Sequence, residues 1–271
     1  YQRGRTLIIA GSEKYPGAAY LALKGAISSG AGFISAVLPR IVAESIWQVA
    51  PEIVLKETMQ SNQSGNASLF SALKNIDLSA FDSLAVGPGI GTDNDDWQKS
   101  KDYLMAFGGL LILDADALNR ISESKLGSNF FLERKFKTWI TPHSKEFGRL
   151  FPNIKAKTNV ELARDAAKEF NISILLKGAN SVVADNKKVW QLFGTDSQTA
   201  RAGLGDLLSG FIAGSSAIDL TLSRNISTDV FVKYVLLHSF AASKCKSGSN
   251  ASAIGDELTR LMRNIKTRQI S

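Results

Sequence analysis

The chain of 271 residues is poor in cysteine and contains only Cys245. A single cysteine excludes an internal disulfide and fits a reducing compartment such as the cytoplasm. We interpret Cys245 as part of a helix end and not as a catalytic thiol. Long apolar runs are also missing, since a typical one is Leu110–Leu113, far too short to span a bilayer. Nothing near the first residue resembles a signal peptide, so we expect a cytoplasmic protein with no membrane partner.

Long basic runs are absent as well, although 32 basic against 25 acidic residues leave a net charge of +7. This mild excess suits anionic ligands such as nucleotides. The densest basic cluster is Arg134, Lys135 and Lys137, which we interpret as a solvated loop or helix end. We therefore expect no nucleic-acid partner.

Short apolar segments alternate with helix-like segments along most of the chain. A strand at RTLII, a helix with Pro16 near its first turn and a strand closed by Pro39 predict a βαβ unit with parallel strands. The alternation continues through VWQLF, and the rest is mostly helical. We expect one α/β domain over residues 1–271, with helices on both faces of the sheet. Because the first residue is not Met and a strand follows at once, we also expect a piece of a longer polypeptide.

The segment GLGDLLSGFIAG places glycines around a lone acid, Asp206, where a helix begins near Leu204 or Gly205. The free N–H groups and the positive dipole end of such a helix bind anions, and glycines let a phosphate come close. Two interpretations of Asp206 stay open. It caps the helix, or it is a base beside a phosphate.

Two other loops follow predicted strands and carry glycines or acids. VGPGIG, over Val86–Gly91, fits either a tight turn or a ligand-binding loop. LDADALN carries Asp114 and Asp116, which can simply cap the next helix or face a ligand.

The two histidines of the chain differ in their surroundings. His143 lies three residues before Glu146 in TPHSKEF, a spacing that puts both on one helix face but supplies too few ligands for a zinc site. His238 lies in the apolar VLLHSFAA and is expected in the core or on a helix face. In LLKGANS, Lys177 ends a strand and is suited to approach a nucleotide.

Six segments occur in the order seen in the NAD(P)H-hydrate dehydratases of the ribokinase-like superfamily, and the chain resembles this family. They read GSEKYPGAAYLALKGAISSGAG, VGPGIG, LDADALN, TPHSKEFGRL, LLKGANSVV and GLGDLLSGFIAG, between about Arg5 and about Gly255. The resemblance implies a ribokinase-like three-layer α/β/α sandwich with a mostly parallel central sheet. In this family an NAD(P)H-hydrate epimerase domain often precedes the dehydratase, so we expect an epimerase as a fused or separate partner. We also expect a homo-oligomer.

The resemblance implies repair of a damaged cofactor. Family members use ADP or ATP, with Mg²⁺, to dehydrate the S epimer of NAD(P)H-hydrate to NAD(P)H, releasing phosphate with AMP or ADP. By motif position, the hydrate site comprises Ala18, Ala19, Gly91, His143 and the catalytic Asp206. The adenine-nucleotide site comprises Lys177, Gly178, Ala179, Asn180, Ser181, Gly203 and Gly205. Glu146 is expected to hold Mg²⁺ through water, and His143 either orients the nicotinamide or holds phosphate.

The chain departs from the family pattern before the aspartate. Many relatives have Thr where this chain has Leu204, and Thr and Gly where it has Arg201 and Ala202. A side-chain phosphate contact from Leu204 is lost, whereas the backbone N–H groups are not affected. Arg201 either adds a charged contact to phosphate or faces solvent.

Two other functions use the same features. A ribokinase-like kinase of a small alcohol, such as a vitamin precursor, would share the base and the anion site but accumulate a phosphate ester. A nucleotide-binding module without turnover would not need Asp206.

Overall fold

The sheet is described by a computed structural model that covers residues 3–193, 201–246 and 248–268, with the backbone alone for 265–268. Its nine strands pair in the order β3-β2-β1-β4-β5-β6-β7-β8-β9. They are β1 (Arg5–Ile9), β2 (Phe33–Pro39), β3 (Val54–Met59), β4 (Ser83–Val86), β5 (Leu110–Leu113), β6 (Thr138–Ile140), β7 (Ser173–Leu176), β8 (Val182–Ala184) and β9 (Val189–Gln191). Pairing is parallel from β3 to β7, and β8 and β9 add antiparallel.

Helices follow most strands. They are α1 (Pro16–Ser29), α2 (Arg40–Ala43), α3 (Leu69–Leu73), α4 (Asn94–Ala106), α5 (Asp116–Glu123), α6 (Asn129–Glu133), α7 (Ser144–Leu150), α8 (Asn159–Phe170), α9 (Leu204–Leu222), α10 (Thr228–Lys244) and α11 (Ala251–Arg268). Short 3₁₀ turns cover Ile46–Gln48 and Leu78–Ala80. Among the described residues, no helix has both the length and the apolar character needed to cross a membrane.

The ends of the main helices follow from local sequence. Pro16 is the first residue of α1, where its missing N–H costs nothing, and Gly30 ends the helix with a φ of 74°. Helix α8 starts with a capping box between Thr158 and Glu161. Helix α10 ends at Lys244 with Cys245 as its C-cap, which confirms that this cysteine lies at a helix end.

The sheet separates two hydrophobic cores. Alternate side chains of β1 point to opposite faces, so that Leu7 and Ile9 lie in one core and Ile8 in the other. The first core packs under helices α3 to α8, and the second under α1, α9, α10 and α11. The expected three-layer α/β/α sandwich with a mostly parallel sheet is confirmed.

Helices α1 and α9 pack against each other at very close range. A Cβ on Gly25 of α1 would overlap the carbonyl oxygen of Leu207, and one on Gly210 of α9 would overlap that of Ala22. One turn further, a Cβ on Gly214 would overlap the hydroxyl of Ser29. These glycines therefore allow the two backbones to touch where any side chain would force them apart.

The interpretation of the basic cluster is right for Arg134 in that the residue caps the end of α6, but wrong in that its side chain is not solvated. Its side chain is buried, and its guanidinium donates to the carbonyl oxygens of Leu104 at 2.6 Å, Phe107 at 2.7 Å and Gly109 at 2.9 Å. These carbonyls lie at and beyond the end of α4, so Arg134 satisfies backbone groups that the helix leaves open. Lys135 is exposed, as expected.

We expect Gly210→Ala to destabilise the protein by about 1–3 kcal/mol, because the new methyl group must separate α9 from α1. The control is Gly148→Ala in α7, where a Cβ meets no atom within 4 Å. That change replaces a helix glycine without a steric clash and should raise the free energy of unfolding by up to about 1 kcal/mol. Urea unfolding midpoints measure both, and equal effects would contradict the close packing.

Candidate functional site

The strand order reverses between β1 and β4, which lie side by side in the sheet. The chain leaves β1 toward α1 on one face and β4 toward α4 on the other, and such a reversal opens a crevice where α/β sheets bind ligands. The two loops are tied together, since the Gly11 N–H donates to the Pro88 carbonyl at 2.7 Å. The predicted site residues lie at this carboxyl edge of the sheet.

A small cavity of about 250 Å³ opens at this crevice. The side chains and backbone that line it come from four separate parts of the chain: Tyr15, Ala18, Gly89, Asp116 and Asp206. The structure thus brings the predicted Ala18 and Asp206 together. Gly89 and Asp116 lie in loops for which the sequence leaves a ligand contact open, and none of Tyr15, Gly89 and Asp116 is among the residues that the resemblance assigns to the site.

Asp206 is in the first turn of α9 and is half-buried. The helix begins after Gly203, which has a φ of 83°, and makes no side-chain capping hydrogen bond. Asp206 therefore does not act as the N-cap. Burial raises the pKa of Asp206 to about 7, with the like charge of Asp114 adding to the effect and Lys177 opposing it. A carboxylate with a pKa near neutrality is suited to accept and return a proton.

The Lys177 ammonium forms an ion pair with Asp114, which the sequence allows to be either a helix cap or a ligand contact. Its ammonium donates to Asp114 Oδ1 at 2.8 Å, and the Ser209 hydroxyl donates to Asp114 Oδ2 at 2.6 Å. Burial lowers the pKa of Lys177, but the carboxylates of Asp114 and Glu146 outweigh this effect and raise that pKa above its ordinary value. The ammonium is therefore charged and held inside the site.

The backbone between the two aspartates is strained. Ala115, the residue before α5, has a φ of 49° and a ψ of −119°, a conformation that costs on the order of 1–3 kcal/mol in a residue other than glycine. It lets Asp114 face Lys177 while Asp116 lines the cavity.

The glycine loop after β4 is both a tight turn and a wall of the cavity. Gly89 has a φ of 64°, and a Cβ on it would lie 2.6 Å from the Cβ of Ala18. The predicted Gly91 donates its N–H to Asp116 Oδ2 at 2.8 Å, so it touches the cavity through Asp116. The predicted Ala19 is buried, with its side chain next to Gly11.

A buried arginine, Arg120 of α5, holds this loop in place and was missed at the level of sequence. It donates to the Gly91 carbonyl at 2.7 Å, to the Ala67 carbonyl at 2.7 Å and to Asp96 at 2.7 Å. The only feature of the sequence that could have indicated its burial is that it is an arginine on an otherwise apolar helix face. Its contacts are all with distant segments.

His143 and Glu146 form the start of α7. The imidazole Nδ1 accepts from the backbone N–H of Lys145 and of Glu146, so Nε2 carries the proton, and it lies 3.3 Å from Glu146 Oε1. Glu146 Oε2 in turn accepts the His143 N–H at 2.8 Å. The His143 side chain is half exposed. It is adjacent to Lys177, because the two residues form a parallel bridge beyond β6 and β7.

The predicted nucleotide turn continues directly from Lys177. Gly178, Ala179 and Asn180 are exposed, and the Ser181 hydroxyl closes the turn by donating to the Gly178 carbonyl at 3.1 Å. An exposed turn beside a charged ammonium is open to a ligand from solvent.

The first turn of α9 lies against this ammonium. A Cβ on Gly205 would be 3.4 Å from the Lys177 ammonium and 3.7 Å from Asp114 Oδ2.

His238 is buried in α10, as expected, and its ring hydrogen-bonds the backbone of Leu204. Burial lowers the pKa of His238 to about 4, so it is neutral. Arg201 is partly buried and does not simply face solvent.

Comparison with known proteins gives one family. A family model described as NAD(P)H-hydrate dehydratase matches residues 6–266. The bifunctional NAD(P)H-hydrate repair enzyme Nnr of Synechocystis is 33% identical over 215 residues, 79% of this chain but 40% of that protein. The chain therefore spans well under half of this relative. The ADP-dependent (S)-NAD(P)H-hydrate dehydratase of Xanthomonas campestris is 31% identical over 80% of this chain and 73% of that protein.

Solved structures of the ribokinase-like fold also match. One is the ADP/ATP-dependent NAD(P)H-hydrate dehydratase of Bacillus subtilis co-crystallised with ATP and Mg²⁺ and soaked with CoA. It superposes with a TM-score of 0.72 at 23% identity and covers 97% of this chain and 92% of that one. At this identity the likeness shows the shared fold.

We expect Gly205→Val to weaken binding of ADP and ATP about tenfold or more, because its branches would displace a charged hydrogen-bond donor worth ~1.5–3 kcal/mol. Calorimetric titration measures the affinity. Gly205→Ala, whose Cβ would only touch the ammonium, should give a smaller loss. Unchanged affinity in a folded Val variant would place the nucleotide elsewhere.

Proposed function

Because the chain belongs to the NAD(P)H-hydrate dehydratase family, we propose that it dehydrates (S)-NAD(P)H-hydrate to NAD(P)H at the expense of ADP or ATP. The observation that carries this proposal is the carboxylate of Asp206. It is half-buried, it has a pKa near neutrality, and it lines the cavity at a helix start that a nucleotide phosphate can approach.

We place the hydrate in the cavity and the nucleotide beside it. Ala18 and Asp206 line the cavity, and Ala19, Gly91 and His143 complete the proposed hydrate site. The nucleotide lies along Lys177–Ser181 and the glycines Gly203 and Gly205. The exposed turn after Lys177 and the Lys177 ammonium close to Gly205 support this arrangement.

The chemistry turns a poor leaving group into a good one. The hydroxyl oxygen of the hydrate attacks the terminal phosphorus of the nucleotide, its proton passes to Asp206, and AMP or ADP leaves. The N–H groups of the α9 start and the Lys177 ammonium stabilise the charge on the transferring group. The lone pair of the ring nitrogen then expels phosphate, and loss of a proton from the neighbouring carbon restores the double bond.

A magnesium ion fits the site only as a companion of the nucleotide. The described parts of the chain contain no group of three or more His, Cys, Asp or Glu side chains arranged to hold a metal. Glu146 is a single buried carboxylate whose two oxygens face His143, so it would hold Mg²⁺ through water while phosphates supply direct ligands. When bound, the ion neutralises phosphate charge.

We expect Asp206→Asn to lower turnover by about 10²–10⁴-fold and to leave nucleotide affinity nearly unchanged, since it removes the proton acceptor but keeps its shape. Recovery of reduced-nicotinamide absorbance measures the rate, and calorimetry the affinity. Asp229→Asn, an exposed acid paired with Lys188 outside the cavity, serves as the control. Near wild-type turnover of Asp206→Asn would refute its role.

We also expect the enzyme to act on one epimer only. A cavity that aligns one hydroxyl with the phosphorus misplaces the other, and a displacement of about 1 Å can cost on the order of 10²-fold in rate. With a mixture of epimers, nucleotide and Mg²⁺, absorbance should recover quickly and then slow to spontaneous epimerisation. A separate epimerase should release the remainder. Complete single-phase conversion by this chain alone would contradict the expected selectivity.

A further inference from the structure

Asp114 is a buried carboxylate at the site for which the proposed reaction has no direct use. It is 1% exposed, and each of its oxygens accepts one short hydrogen bond, from Lys177 and from Ser209. Ser209 is also 1% exposed. A carboxylate that is held at both oxygens inside the protein is fixed in one orientation.

Resting on the proposed function, we propose that Asp114, fixed by Ser209, is a positioning residue that holds the Lys177 ammonium against the first turn of α9 and keeps it from pairing with Asp206. Lys177 is within electrostatic range of both carboxylates, yet its ion pair is with Asp114. The ammonium is therefore available to phosphate while Asp206 remains free to take a proton.

The local backbone favours this choice of partner. The left-handed turn at Ala115 directs Asp114 toward Lys177. The absence of a side chain on Gly205 leaves room for the ammonium, since a Cβ there would be 3.4 Å from it. Ser209 lies one turn after Gly205 on α9, so the same helix that carries the base also fixes the carboxylate that restrains the lysine.

Pairing with Lys177 would disable the base. A cation in direct contact stabilises the ionised carboxylate and lowers its pKa, so it would accept a proton poorly. The charged groups that act on Asp206 are Asp114, Lys177 and Asp116. Around Lys177, Glu146 adds a negative charge, and His238 is neutral.

The proposal predicts opposite effects for the two members of the ion pair. In Asp114→Asn, the neighbouring negative charge is lost and Lys177 is released toward Asp206, so Asp206 should titrate at lower pH than in the wild type. In Lys177→Met the opposing cation is lost, so Asp206 should titrate at higher pH. Turnover of Asp114→Asn at alkaline pH should fall on the order of 10²-fold, because the ammonium is misplaced.

The experiment is an NMR titration of the whole chain labelled with ¹³C at the aspartate carboxyl carbon, with Asp206 assigned by its loss in Asp206→Asn. It requires no turnover, so it tests the positioning role even if the wild type fails to dehydrate the hydrate, a result that would overturn only the proposed function. A lower titration midpoint in Asp114→Asn supports the inference when adding Lys177→Met raises the midpoint more in that variant than in the wild type, because only a released Lys177 acts more strongly on Asp206; an equal rise in both backgrounds overturns it. An unchanged or raised midpoint overturns it.

A second pair of variants keeps the test decisive if Asp114→Asn does not fold. Ser209→Ala removes one support of Asp114 and should move the Asp206 titration in the same direction by a smaller amount. The matched control is Ser216→Ala, which removes a buried hydroxyl without a hydrogen-bond partner from the same helix. If Ser209→Ala titrates like Ser216→Ala, the positioning role is refuted.

Discussion

The close packing of α1 on α9 is the contact on which the site depends. Helices with ordinary side chains between them pack 8–10 Å apart, and glycines in both helices let these two approach until backbone meets backbone. Each helix starts at the carboxyl edge of the sheet. Their first turns therefore lie side by side, and Ala18 of one and Asp206 of the other line a single cavity.

The second constraint is electrostatic. Three carboxylates, those of Asp114, Asp116 and Asp206, act on one another and on the Lys177 ammonium at this edge. The ammonium is paired with Asp114, and within the described part of the chain no ion pair to Asp206 is formed, so its negative neighbours favour its protonated form. The same arrangement thus supplies a fixed positive charge and a carboxylate whose pKa is near neutrality.

Side-chain hydrogen bonds, rather than helices or strands, fix the loops at this edge of the sheet. Arg120 binds carbonyl groups from the glycine loop and from the segment that precedes α3, and the capping box of His143 and Glu146 orders the start of α7. Such supports are formed before any ligand arrives, which reduces the cost of ordering the site on binding.

The sequence by itself determined most of the fold and the local part of the site. The alternation of apolar and amphipathic segments predicted the parallel sheet and its two helical layers, because periodicity reflects burial directly. Glycines before a helix likewise predicted where α9 starts and marked Asp206. What each predicted site residue does for a ligand stays a prediction.

Only the tertiary structure decided which groups meet. Asp114 and Asp116 are two residues apart and look alike in the sequence, yet one binds Lys177 and Ser209, which are 63 and 95 residues away, and the other lines the cavity. Arg134 looked like a solvated charge and is buried, because the carbonyls it binds come from a helix end 25–30 residues earlier. Local patterns record the conformation of a segment, whereas hydrogen bonds and charge pairs depend on where the fold brings distant segments together.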